Sequence, residues 1–223
     1  MKTESRVSAV QEKMLRLESG ATLRYTLALP PSFSPDHPYP LIIALHYGGQ
    51  VTPYYGEPYL TNLVLPALDG LGAIMVAPDC PGKGWTDPLS EKAVLELIQS
   101  VQKDYPVESG RLVLTGYSLG AIGTWDLVFK HPQLFSAAIP ISGMPPKGIV
   151  VRQTRTRFWV IHSHNDELFP LESLGKFVQF CESQGLSVQF KPVAGPGHYE
   201  YDRYVSALKE AVPWLKGLWK AKS

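Results

Sequence analysis

The sequence predicts an α/β fold with a mostly parallel central sheet and helices on both of its faces. Three observations lead there. Short apolar runs alternate with segments of helical periodicity. Most of those runs are apolar at every position rather than at every second one, as expected for strands covered on both faces of a parallel sheet. Glycine-rich or polar segments follow directly on several run ends, where ligands collect in such sheets.

Residues 14–18 and 22–29 read as two antiparallel strands joined at Ser19 and Gly20. The run 41–46 (LIIALH) is the first fully apolar strand and ends in glycines. Runs 73–77, 112–115, 137–141 and 158–162 are of the same type, and 188–193 is a last, more alternating strand. Asp87 followed by Pro88 marks a helix start, a capping side chain before a proline at the first helical position. Val94, Leu97, Ile98, Val101 and Tyr105 continue it at helical spacing. After Ser118 a second helix carries Ile122, Trp125, Val128 and Phe129, and Pro132 ends it. A third carries Leu174, Phe177, Val178 and Cys181 and stops at Gly185. A final helix is expected from about Asp202, with Pro213 kinking or ending it.

A chain of 223 residues is expected to form one domain over 1–223. At that length roughly 70% of the unfolded surface can be buried without disulfides or metals. Hydrophobic residues at 44% and charged residues at 18% exclude a disordered chain. The formal net charge of +1 offers no positive excess for a nucleic acid. Cys80 and Cys181 are too few for a disulfide framework or a zinc cluster and read as buried small hydrophobes. No metal site and no cofactor is expected. The N-terminus lacks the apolar stretch of a secretory signal. No run approaches the about 18 apolar residues of a membrane span. The expected location is cytoplasmic unless a leader has been removed, and the oligomeric state, a homodimer included, stays open.

The chemistry gathers at the strand ends. Gly116-Tyr117-Ser118-Leu119-Gly120 fits G-x-S-x-G between a strand and a helix, the turn that holds a serine hydroxyl exposed at its tip. Serine needs a base, and the base needs a carboxylate to orient it. His198, in a Gly-Pro-Gly-His loop after the last strand, is the preferred base. His37 and His131 precede prolines and read as turn residues, and His46 and His162 read as structural groups at strand ends. Asp166 is the preferred carboxylate, with Glu167 its chief rival and Asp79 a lesser one. A tetrahedral intermediate also needs amide donors for its oxyanion. Leu119 should supply one amide, and the loop His46-Tyr47-Gly48-Gly49 the other, from Gly48 or its neighbour Tyr47. Tyr47, Tyr54, Tyr55 and Trp85 either line an acyl or aryl pocket or pack a helix against the sheet.

These segments resemble the α/β-hydrolase superfamily. Within it they are similar to the small bacterial carboxylesterases: the phospholipase/carboxylesterase, dienelactone-hydrolase-like and prolyl-oligopeptidase-like group. GYSLGAIGTWDLVFKHPQLFSAAIPISG (116–143) is the most specific stretch. VIHSHNDELFP (160–170) resembles the group's acid loop, GPGHYEYD (195–202) its histidine loop, and APDCPGKGWTD (77–87) its rim segment. The resemblance implies an α/β-hydrolase fold and a Ser118–His198–Asp166 triad cleaving small-molecule carboxylic esters. Tyr47 stands where the family often has the first glycine of its oxyanion loop, and serine replaces the cysteine nucleophile of dienelactone hydrolases proper. The stretch between Gly143 and Arg157 is too short for a large helical lid. Peptidase, amidase or thioesterase activity would use the same machinery. A non-catalytic binding protein, a lyase or a perhydrolase could share the fold.

Overall fold

A computed structural model describes residues 9–220. Eight strands form one sheet: β1 (Ala9–Arg16), β2 (Thr22–Leu29), β3 (Tyr39–Leu45), β4 (Ile74–Pro78), β5 (Val107–Tyr117), β6 (Ala137–Ile141), β7 (Arg157–Ser163) and β8 (Val188–Val193). They lie in the order β1-β2-β4-β3-β5-β6-β7-β8. β3 through β8 are parallel to one another, and β2 pairs antiparallel with both β1 and β4. The helices are α1 (Glu57–Tyr59), α2 (Leu65–Leu68), α3 (Pro88–Asp104), α4 (Leu119–Lys130), α5 (Leu171–Ser183), α6 (Val205–Lys209) and α7 (Ala211–Lys220).

The apolar strands are apolar throughout because successive side chains enter two different cores. Leu41, Ile43 and Leu45 of β3 join the layer beneath α3, α4 and α5, while Ile42 and Ala44 join the layer beneath α1, α2, α6 and α7. β7 divides likewise, Phe158 and Val160 to one side and Trp159 and Ile161 to the other. Trp125 of α4 stacks on Phe158 with centroids 4.9 Å apart, which fixes the helix after Ser118 against the sheet. Emptying that site would cost about 3–5 kcal/mol. Asp87 caps α3 as its sequence predicts, accepting the Leu89 N–H at 2.9 Å.

Three expectations change. β1 covers Ala9–Arg16 rather than 14–18, because Leu17 already belongs to the turn, bonding Ala21 O through its N–H and Gly20 N through its carbonyl. Residues 57–71, unassigned from the sequence, are helical, with a π turn at Leu60–Val64 between α1 and α2. Pro58 lies in the first turn of α1, and the π turn comes just before Pro66, whose ring and missing N–H disturb a regular ladder. At the C-terminus the chain passes through a 3-10 turn (Tyr201–Tyr204) and α6 before α7 begins. Pro213 sits in the first turn of α7, where a missing N–H goes unnoticed, so it accompanies a helix start rather than a stop. Between β6 and β7, residues 142–156 contain no helix, and no large lid is built there. Among the described residues no helix is long and apolar enough to cross a membrane.

Candidate active site

Ser118 sits between β5 and α4 with φ 54°, a left-handed value that a serine adopts only when its surroundings compel it. The two flanking glycines show what compels it. A Cβ at Gly116 would lie 2.2 Å from Gly120 O, and a Cβ at Gly120 would lie 1.9 Å from Leu45 O. Only bare backbone allows β3, β5 and the start of α4 to come so close. The Ser118 N–H is taken by Ile141 O at 3.0 Å, which ties the turn to β6.

From that tip, Ser118 Oγ is 2.8 Å from His198 Nε2, and His198 Nδ1 is 2.9 Å from Asp166 Oδ2. An ionised carboxylate only accepts, so Nδ1 carries the imidazole proton and Nε2 is left to accept from the hydroxyl. His198 and Asp166 are both buried. The second oxygen of Asp166 accepts the Leu168 N–H at 3.0 Å and the Phe169 N–H at 2.8 Å. Burial alone would raise the Asp166 pKa, but the bond from His198 and the two amides outweigh it and hold the carboxyl below its ordinary value. His162, fully buried, donates from Nε2 to Phe169 O at 2.7 Å and lies 3.8 Å from Asp166 Oδ2. Burial pushes its pKa down, so it packs against the acid loop as a neutral ring.

His46 plays the structural part its sequence position suggests. Its Nδ1 donates to Tyr47 O at 2.6 Å, and its Nε2 accepts the Cys80 N–H at 3.1 Å. Burial lowers its pKa to about 4, so the ring is neutral. Because a trans peptide points its N–H away from its carbonyl, drawing Tyr47 O onto His46 turns the Gly48 N–H to the opposite side. Gly48 in turn lies against Leu119, a Cβ at Gly48 falling 3.7 Å from Leu119 Cβ. The two residues expected to donate amides are therefore neighbours, and Leu119 opens the 12-residue helix α4, whose positive dipole end faces Ser118.

A cleft of about 410 Å³ opens over these groups. Ser118, His198 and Gly48 line it together with Tyr47, Tyr117, Leu168, Tyr199 and Tyr201. Tyr47 and Tyr201 rings are 4.9 Å apart, and Asn62 donates to Tyr201 Oη at 3.2 Å. Of the aromatic residues singled out in the sequence, Tyr47 alone lines the cleft. Trp85 is fully buried, donating Nε1–H to His46 O at 2.8 Å, and cannot line a pocket. Tyr55 packs edge-on against His46 and Tyr47 with its hydroxyl 3.4 Å from Gly48 O, so it braces the glycine loop from outside. Tyr54 has its N–H on Asp79 Oδ2 at 2.9 Å, which also occupies Asp79 away from His198. Tyr117, Leu168, Tyr199 and Tyr201 also line the cleft, beyond the residues expected from the sequence. Their signal was position: Tyr117 and Tyr199 adjoin Ser118 and His198, and Leu168 and Tyr201 lie in the quoted acid and histidine loops. Among the described residues, no group of three or more His, Cys, Asp or Glu side chains could hold a metal ion.

Comparison with known proteins agrees with this architecture. The chain is 26% identical over 187 residues to a protein of Aspergillus niger named "Probable feruloyl esterase C", a match covering 77% of this chain and 66% of that one. It is 28% identical over 119 residues to acetylxylan esterase A of Aspergillus oryzae, covering 47% of this chain and 37% of that protein. The crystal structure of a thermostable esterase superposes with a TM-score of 0.78 at 25% identity, over 93% of this chain and 62% of that one. The chain thus spans two thirds or less of the length of these relatives. The profile of the phospholipase/carboxylesterase family matches residues 89–214, more than half of the chain and the part that carries Ser118, Asp166 and His198. The chain belongs to the phospholipase/carboxylesterase family and has the α/β-hydrolase fold.

Proposed function

We propose that this protein hydrolyses carboxylic esters through an acyl-enzyme on Ser118. The observation that carries the reading is the unbroken hydrogen-bonded row from Ser118 Oγ through His198 to Asp166, at 2.8 and 2.9 Å. His198 takes the hydroxyl proton as Oγ attacks the ester carbonyl, and Asp166 stabilises the resulting imidazolium. The carbonyl oxygen becomes an oxyanion held by the Leu119 and Gly48 amides. His198 then passes its proton to the leaving alcohol. Water repeats the attack on the acyl-enzyme, giving a proton to His198, which returns it to Ser118 Oγ as the acyl–Oγ bond breaks and the acid leaves.

The acyl group is read as aromatic. Tyr47, Tyr199 and Tyr201 give the cleft flat rings and phenol hydroxyls for a substituted aryl group, and buried Tyr117 backs Tyr201 with its ring 6.1 Å away. The feruloyl esterases among the relatives point the same way, and the acetylxylan esterases name the smaller acyl alternative. Methyl ferulate and methyl acetate, given to wild type and Ser118→Ala, test both parts. Wild type should hydrolyse both with the higher kcat/KM for the ferulate, and Ser118→Ala should lose on the order of 10⁴-fold. Equal rates in the two proteins would remove Ser118 from the chemistry, and acetate cleavage without ferulate cleavage would leave the esterase but reject the aromatic acyl group.

A further inference from the structure

Glu167, the second carboxylate of the acid loop, stands beside Asp166, and it is Asp166 that bonds the imidazole. Its Oε2 accepts the backbone N–H of His198 at 2.7 Å. A Cβ on Gly197 would lie 3.2 and 3.3 Å from its two oxygens, so the carboxylate lies close against the turn that delivers His198. At the other end of the same residue, the Tyr117 hydroxyl donates to His198 O at 2.6 Å. Both backbone groups of His198 and both ring nitrogens are therefore held, and two consecutive residues of the acid loop supply two of those four contacts.

Two further hydrogen bonds on the loop are longer: Asn165 Nδ2 donates to Gly195 O at 3.3 Å, and the Glu200 N–H to Gly197 O at 3.3 Å. Between the end of β8 and Tyr201 there is no helix or strand, and Gly197 N is held by a second carboxylate, Glu200 Oε2, at 2.7 Å. A ring hydrogen bond orients an imidazole about its Cβ but does not stop its Cα from sliding. A shift of about 1 Å at a reacting group can lower a rate 10²-fold. We infer that Glu167 is a positioning residue for the reaction: its carboxylate anchors the His198 backbone so that Nε2 stays in reach of Ser118 Oγ while the ring gains and loses its proton. This rests on the reading of His198 as the base.

The test compares Glu167→Ala with Glu167→Gln, whose amide oxygen can accept the same N–H. On p-nitrophenyl acetate, Glu167→Ala should lose about 10- to 100-fold in kcat with KM within about twofold. Glu167→Gln should recover to within about fivefold of wild type. A readout free of turnover is the proton NMR line of the His198 Nδ1–H, assigned by its absence in His198→Ala. It should stay sharp in wild type and Glu167→Gln and broaden in Glu167→Ala. Melting curves check that each variant folds. If Glu167→Ala does not fold, Glu167→Asp, which draws the oxygen back by one bond, must show the same loss. Wild-type kcat in Glu167→Ala (or in Glu167→Asp, should it stand in), or a loss in Glu167→Gln as large as in Glu167→Ala, would overturn the inference and leave the esterase reading standing. A wild type that cleaves no ester while the proton line behaves as expected would do the reverse.

Discussion

The turn at Ser118 and the loop at His198 meet in one hydrogen bond, yet they are built on different principles. The Ser118 turn is held by shape: backbone packed on backbone, with a left-handed serine between two glycines that admit no Cβ. The His198 loop is held by side-chain acceptors: its amides end on the carboxylates of Glu167 and Glu200, and Arg203 braces Glu200 at 2.7 Å. A position held by shape fails when volume is added. A position held by an acceptor fails when the acceptor is removed. The geometry of the site therefore depends on two independent sets of conditions.

The largest effect should come from adding volume on the shape side. Gly120→Ala places a methyl where Leu45 O already stands, at 1.9 Å, with no flexible side chain to yield. A loss of about 4 kcal/mol or more is expected, read from the urea midpoint or as failure to accumulate folded protein. Near-wild-type stability would show that the turn is not sterically determined.

Lowering the pH acts on both regions, and His46, beneath the glycine loop that packs on the start of α4, sets much of the expected change in stability. Its ordinary pKa of 6.5 falls to about 4 in the folded protein. Between those values the unfolded chain binds a proton that the folded chain does not, so stability is full above pH 6.5 and falls as the pH drops to about 4. The linkage amounts to about 3 kcal/mol at the acid end. Glu200 adds in the same direction: its pKa is lowered by the Gly197 N–H and the Arg203 pair, so its contribution is present above 4.5 and lost as the pH falls through the lower folded value. Urea midpoints from pH 7 to 4 should fall accordingly, and His46→Gln should flatten the decline. An unchanged slope in His46→Gln would mean that the ring is not held neutral.

A smaller effect is expected at the residue that joins the two regions. Tyr117 lies in the Gly-x-Ser-x-Gly turn and donates to the carbonyl of His198. Tyr117→Phe leaves that carbonyl without its partner at a cost of about 1–3 kcal/mol. It should also lower kcat, since it frees one end of the base. A variant with unaltered stability and kcat would show that the two regions do not depend on this link.

Much of this was legible in the sequence, for a physical reason. Strands that face two cores must be apolar at every position, so β3, β4, β6 and β7 stand out as unbroken runs. The glycines of 116–120 and the polar ends of β7 and β8 mark where such a sheet presents side chains. What was hidden had competing signals. Edge strand β1 is half polar and carries Gln11, Glu12 and Lys13 along its length, so only its last apolar residues stood out. Pro58 and Pro66 mask the helical stretch 57–71. Trp85 follows a glycine in what reads as a rim loop, and nothing local reveals that its N–H is used by a carbonyl 39 residues away. Glu167 was visible as a carboxylate, but its partner is a backbone amide, which leaves no mark in a sequence.

The short connection over residues 142–156 has a kinetic consequence. With no helical flap in that connection, residues 142–156 have nothing to lift from the cleft. Under the proposed ester hydrolysis, the rate on a soluble ester should follow a plain saturation curve through the concentration at which that ester forms micelles, without the jump that an interface-triggered lipase displays.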